Sequence, residues 1–160
     1  MSLSIRKIKP EDNFALARMI REIFEEFDAP RTGTVYSDPT TDALFELFRA
    51  QNSVLWVAES DGMPVGCCGI YPTPGLPEGY AELVKFYISA ANRGKGLGKK
   101  LLDKCIISSR EAGFTHLYIE SLPVFSKAIG MYEAADFYYL EKPFGNSGHN
   151  SCNVWMLKTL

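Results

Sequence analysis

The sequence predicts an α/β fold in which a mixed central sheet is flanked by helices, and three observations carry that prediction. Segments rich in β-branched and aromatic residues interleave along the chain with segments whose apolar residues recur every three or four positions. The dipeptide Asp61-Gly62 stands between two apolar runs, where it favours a tight hairpin turn. A glycine-spaced basic turn, Asn92 to Lys100, connects a strand directly to a helix. At 160 residues, 46% hydrophobic and 22% charged, the chain is sized for one domain, 1–160, with a single sizeable core.

Leu3 to Lys9 alternates apolar and charged residues and reads as an opening strand. Pro10 suits a first helical position, Glu11 and Asp12 suit the positive end of a helix, and Ala17, Ile20, Phe24 and Phe27 give it an apolar stripe. Ala29 to Gly33 ends that helix in a loop. Asp38-Pro39 then reads as a cap and start for a second helix, with Leu44, Phe45 and Phe48 as its buried stripe. Val54–Ala58 and Met63–Tyr71 form the predicted hairpin. Pro72 to Gly79 holds three prolines and two glycines, so it is an irregular connection to a strand over 80–88. Beyond the basic turn, Leu97, Leu101, Leu102, Cys105 and Ile106 share one helical face, and Gly113 marks the helix end. A strand over Thr115–Glu120, a helix over Val124–Ala135, a strand over Phe137–Leu140, a loop from Pro143 to Ser151 and a strand over Cys152–Lys158 complete the chain.

Composition narrows the function. A formal net charge of -2 argues against a nucleic-acid surface, the basic cluster being confined to one turn. No apolar run approaches the ~20 residues of a membrane span, and the N-terminus lacks a secretory apolar region, so a cytoplasmic protein without membrane attachment is expected. Cys67, Cys68, Cys105 and Cys152 have no paired spacing, and the two histidines, His116 and His149, are too few for a zinc site. No metal is expected. Cys67 and Cys68 lie in an apolar strand and Cys105 on a buried helix face, which argues against covalent catalysis by cysteine.

The turn Asn92-Arg93-Gly94-Lys95-Gly96-Leu97-Gly98-Lys99-Lys100 is built to hold a phosphorylated ligand, because glycines let backbone N–H groups approach and the following helix presents its positive end. A Walker loop is excluded, since Arg93 stands where its first glycine belongs and Lys100 where it needs Ser or Thr. The dinucleotide motif fails at Lys99, where its third glycine would fall. The spacing R-x-x-G-x-G, from Arg93 through Gly96 to Gly98, resembles the acyl-coenzyme A loop of the GNAT acetyltransferase superfamily. Ala128-Ile129-Gly130-Met131-Tyr132-Glu133 is similar to that family's late helix, and the order of elements from Leu3 to Leu160 fits its domain, a GNAT-like acyl-CoA N-acyltransferase fold.

The resemblance implies an N-acetyltransferase that takes acetyl-CoA as co-substrate and acetylates a primary amine of a small molecule or peptide by direct transfer in a ternary complex. It implies coenzyme contacts at Phe86, Tyr87, Ile88, Arg93, Gly94, Lys95, Gly96, Leu97, Gly98 and Lys99. Phe125 stands where many relatives carry asparagine, leaving Ser126 or Lys127 as the substitute contact, and Asp136 replaces a glycine after the late helix. Tyr132 matches the tyrosine that faces the thioester; with an ordinary pKa near ~10, its hydroxyl is protonated and able to protonate the leaving thiolate. Glu82, on the central strand, is the candidate base for an amine whose ordinary pKa is ~10.4; the competing reading is a glutamate in a structural ion pair. For the acceptor, analogy of fold points to Arg31, Tyr36 and Asp38 on one side and Asn146, His149 and Asn150 on the other, against the alternative of solvated loop residues. Arg31 would suit an amine bearing a carboxylate, and the acidic residues would suit a polyamine. A non-catalytic acyl-CoA-binding sensor or regulatory module, or a nucleotide-binding regulatory domain, is the alternative function. The protein is expected to be a monomer or homodimer.

Overall fold

The computed structural model describes residues 3–145 and 151–160. Seven strands form one sheet: β1 (Leu3–Lys7), β2 (Val54–Ser60), β3 (Met63–Tyr71), β4 (Tyr80–Ile88), β5 (His116–Ser121), β6 (Tyr138–Tyr139) and β7 (Val154–Thr159). Their spatial order is β1-β2-β3-β4-β5-β7-β6, antiparallel throughout except for the parallel pair β4–β5. That parallel pair requires a crossover, which α3 (Leu97–Glu111) supplies. Helices α1 (Asn13–Glu26) and α2 (Leu44–Leu47) follow β1, and α4 (Ser126–Ala134) follows β5.

Two apolar cores lie against the sheet. One joins Leu101, Leu102 and Cys105 of α3 to Ala81, Leu83, Leu117 and Tyr132; the other joins Leu16, Ile20 and Phe24 of α1 to Leu55, Val57 and Cys67. Alternation along β4 divides its residues between them. The two-residue turn between β2 and β3 holds Asp61 at φ 50° and Gly62 at φ 83°, the positive pair that a tight hairpin requires. Asp136 takes φ 69°, the left-handed turn that ends α4.

The first two predicted helices differ from the sequence expectation. The second helix breaks into a 3-10 turn, Pro39–Asp42, and the single turn α2, because Asp38 Oδ1 accepts from Thr40 N (2.9 Å) and Thr41 Oγ1 donates to the Val35 carbonyl (2.7 Å). Such local bonds compete with helix formation. Phe27 does not continue the buried stripe of α1; it terminates the helix with its ring 36% exposed, packed edge-on against Phe125. The first helix also opens as a 3-10 turn, Pro10–Asp12, in which the Asp12 carboxylate accepts from Lys9 N and is gripped by Arg6.

Candidate active site

Strands β4 and β5 pair only from Tyr80–Glu82 against His116–Tyr118 and then part. Past Glu82 the β4 edge facing β5 has no ladder partner among the described residues, and the gap opens into a cleft of about 730 Å³. Its walls come from β4, the turn at 92–99, the ends of α1 and β5, and the start of α4. At the paired end, Thr115 N and His116 N both donate to the Gly79 carbonyl, at 2.8 and 3.4 Å.

The glycines of the turn serve different ends. Gly94 (φ 77°) and Gly96 (φ 78°) adopt left-handed backbone, and a Cβ at either would meet nothing within 4 Å. They form an open cradle at the N-terminus of α3, where unpaired N–H groups and the helix dipole favour an anion. Gly98 lines the cleft too and is buried: a Cβ there would come 2.9 Å from Met131 Cε and 3.1 Å from Ile88 Cδ1, so its missing side chain also lets α3 pack closely. Arg93 is committed as well. Its Nε donates to the Ile88 carbonyl (2.9 Å), its Nη atoms grip Glu26 at 2.6 and 2.9 Å, and its guanidinium lies over Phe27. This arrangement ties the turn to the end of α1. Lys99 lines the cleft and pairs with Asp103 on its own helix, while Lys95 is exposed and outside the lining.

Glu82 lies at the point where the strands part and is 4% exposed. Thr73 donates its hydroxyl to the carboxylate at 2.7 Å. Burial drives the Glu82 pKa up to about 7, with the Thr73 bond and Lys85 opposing and Glu120 adding to the rise. A carboxyl of that pKa exchanges a proton near neutrality. Tyr132 projects from α4 into the same cleft, 5% exposed, its ring 5.9 Å from that of Phe86. Burial raises its pKa well above the ordinary tyrosine value, so its hydroxyl is a proton donor across the working pH range.

Of the remaining sequence candidates, Phe86, Tyr87, Ile88, Leu97, Ser126 and Lys127 all line the cleft. Phe125 lines it too, within an aromatic cluster with Phe24, Phe27 and Tyr87. Arg31 and Tyr36 do not. Tyr36 donates its hydroxyl to Glu25 (2.8 Å), and Arg31 lies over the Tyr36 ring at 4.9 Å, so both belong to the loop packing outside the lining. His149, Asn146 and Asn150 lie outside the described residues. Sequence reasoning missed Thr73, Glu120 and Lys85. Lys85 is legible only as a lone cation in an apolar strand. Burial pushes the Cys67 and half-buried Cys152 thiols up to about 12, which argues against a thiolate nucleophile near neutral pH.

Residues 18–137 match the Acetyltransferase (GNAT) family. The chain is 36% identical over 157 residues to the uncharacterized N-acetyltransferase YjgM of Escherichia coli K12, covering 98% of this chain and 94% of that protein. Its fold superposes on a GNAT-family acetyltransferase of Staphylococcus aureus Mu50 with a TM-score of 0.86 at 20% identity, covering 99% of both chains. The yncA structure from Salmonella typhimurium, solved with its cofactor acetyl-CoA, superposes with a TM-score of 0.77 at 18% identity over all of this chain and 95% of that one.

Proposed function

This chain belongs to the GNAT acetyltransferase family and is an N-acetyltransferase, and on that premise we propose that it acetylates a primary amine of a small molecule or peptide, using acetyl-CoA directly in a ternary complex. The observation that carries the reading is the convergence of Glu82 and Tyr132 on one cleft, continuous with the open cradle at Gly94 and Gly96.

The cleft fits the co-substrate. The cradle offers N–H groups and a helix N-terminus to a diphosphate, with Lys99 and Lys127 at the rim for added charge. The splayed edge of β4 at Phe86, Tyr87 and Ile88 leaves main-chain groups open to an acyl arm, against walls of Leu97, Ala128 and Met131. Acetyl-CoA supplies the activated acetyl thioester. Glu82, in its ionised form, takes the proton that the acceptor amine gives up, directly or through a water. Tyr132 gives its hydroxyl proton to the sulfur that departs. The amine gains the N–C bond as the C–S bond breaks, and the two protons move at opposite ends of the site.

The test is release of free coenzyme A thiol from acetyl-CoA in the presence of a panel of primary amines, with and without Tyr132→Phe. Acceptor-dependent release by the parent, lowered about 100-fold in kcat by the variant, supports the reading. Tight acetyl-CoA binding without release on any amine would identify an acyl-CoA sensor instead.

A further inference from the structure

One buried ionisable group in the cleft has no part in the reaction described above. Lys85 is 7% exposed and lines the cleft. Among the described residues its ammonium makes no hydrogen bond or ion pair, and no buried side-chain nitrogen or oxygen there lacks a partner, so the ammonium opens into the cleft. A lysine with its stem buried and its ammonium opening only onto a cleft is uncommon, because the charge is held largely away from bulk water with no protein partner.

The backbone places it there. The β3–β4 register runs Cys67↔Tyr87 and then Gly69↔Val84, so three β4 positions span two on β3 and the strand bulges at Lys85 and Phe86. Lys85 takes φ 57° at the bulge, a left-handed conformation that is strained for a non-glycine residue. The bulge re-aims the side chain. The groups acting on Lys85 electrostatically are Asp38, Glu82, Cys67 and Cys152, and both cysteines belong to the α1-side core. Tyr132 and Phe86 pack with the α3-side core. Lys85 therefore faces the half of the cleft away from the proton donor for the sulfur, where Thr34, Glu82, Glu120 and Cys152 form the wall.

We propose that Lys85 binds a carboxylate on the acceptor, so that the acceptor is a zwitterionic, amino-acid-type amine. The inference deepens the acetyltransferase reading and rests on it. Glu82 and Glu120, with Asp38 also acting on Lys85, present negative charge to an entering ammonium, and among the described residues Lys85 is the one lysine or arginine on this wall. That pattern complements one amine and one monoanion. A phosphate dianion would call for more positive charge than Lys85 supplies on this wall among the described residues. Burial lowers the Lys85 pKa, and a bound carboxylate restores the charged form, so occupancy by an anion relieves the cost of burying it. Arg31, the residue that sequence reasoning matched to a carboxylate, is stacked on Tyr36 outside the cleft.

The experiment compares kcat/KM for α- and ω-amino acids with that for their carboxamides, together with O-phosphoethanolamine, in the parent and in Lys85→Met and Lys85→Gln. The best amino acid is expected to exceed its carboxamide by at least about tenfold in the parent, and the ratio to fall to about one in both variants. Acetyl-CoA affinity and melting temperature of the variants report that the coenzyme side and fold are intact. Equal rates on acids and amides in the parent, a ratio that survives in a folded variant, or preference for the phosphate ester would each overturn the proposal while leaving acetyl transfer standing. Acetyl-CoA binding without thiol release on any amine would overturn both.

Discussion

Replacing Glu82 by glutamine is predicted to stabilise the protein at alkaline pH while disabling it. Glutamine keeps the shape of the side chain and an oxygen to accept the Thr73 hydroxyl bond, and it removes the ionisation. The folded protein holds the Glu82 carboxyl at about 7 against an ordinary 4.5, chiefly through burial. Below pH 4.5 the group is neutral in both states and costs nothing. Between 4.5 and about 7 the unfolded chain gives up the proton and the folded protein keeps it, so stability falls as pH rises. Above about 7 both states are ionised and the full penalty, about 3 kcal/mol, remains. Urea unfolding followed by tryptophan fluorescence measures it. The stability of Glu82→Gln relative to the parent should be about 2.5 kcal/mol more favourable at pH 8 than at pH 5. In parallel, parental kcat/KM should fall about tenfold per pH unit below 7, and the variant should lose that limb along with about 100-fold in rate. A stability difference equal at the two pH values would refute the buried-carboxyl argument. A variant that keeps the parental rate and acid limb would refute Glu82 as the base.

Gly94→Ala places a side chain at φ 77° in open space, so it should lower stability by about 1 kcal/mol through backbone strain and weaken acetyl-CoA, as read by melting and calorimetry. Glu26→Gln breaks the grip on Arg93 at an exposed site; stability should change by less than about 1 kcal/mol, while amide exchange across the turn accelerates. Unaltered exchange would show that Arg93 holds the turn through the Ile88 carbonyl alone. A thiol reagent at pH 7.5 should leave Cys67, Cys68 and Cys105 unmodified in the folded protein, and alanine at each should preserve the transfer rate within about twofold.

Much of this site was legible in the chain because it depends on local chemistry. The boundaries of β3 and β4 follow from runs of β-branched and aromatic residues ended by proline and glycine, and the hairpin follows from Asp61-Gly62. The open turn before α3 is written in Gly94 and Gly96, whose positive φ values suit glycine. What escaped depends on distant neighbours. Gly98 reads like its two companions until Met131 and Ile88 are seen against it. Arg93 reads as a free cation until Glu26, far off on α1, takes its guanidinium. The bulge at Lys85 is a mismatch of register between two strands, and no spacing within one strand reveals it. Arg31 reads as a basic loop residue suited to a carboxylate, whereas in the fold it lies over the Tyr36 ring, outside the cleft lining.

The most direct test of the central claim, that acetyl-CoA docks along the splayed edge of β4 with its diphosphate on the turn, is an amide-resolved NMR titration of the 17.9 kDa protein with acetyl-CoA. The largest shifts are predicted at the amides of residues 94–99 and 86–88, with little change at β1 and β2. Saturable shifts centred elsewhere, or none at millimolar acetyl-CoA, would contradict it.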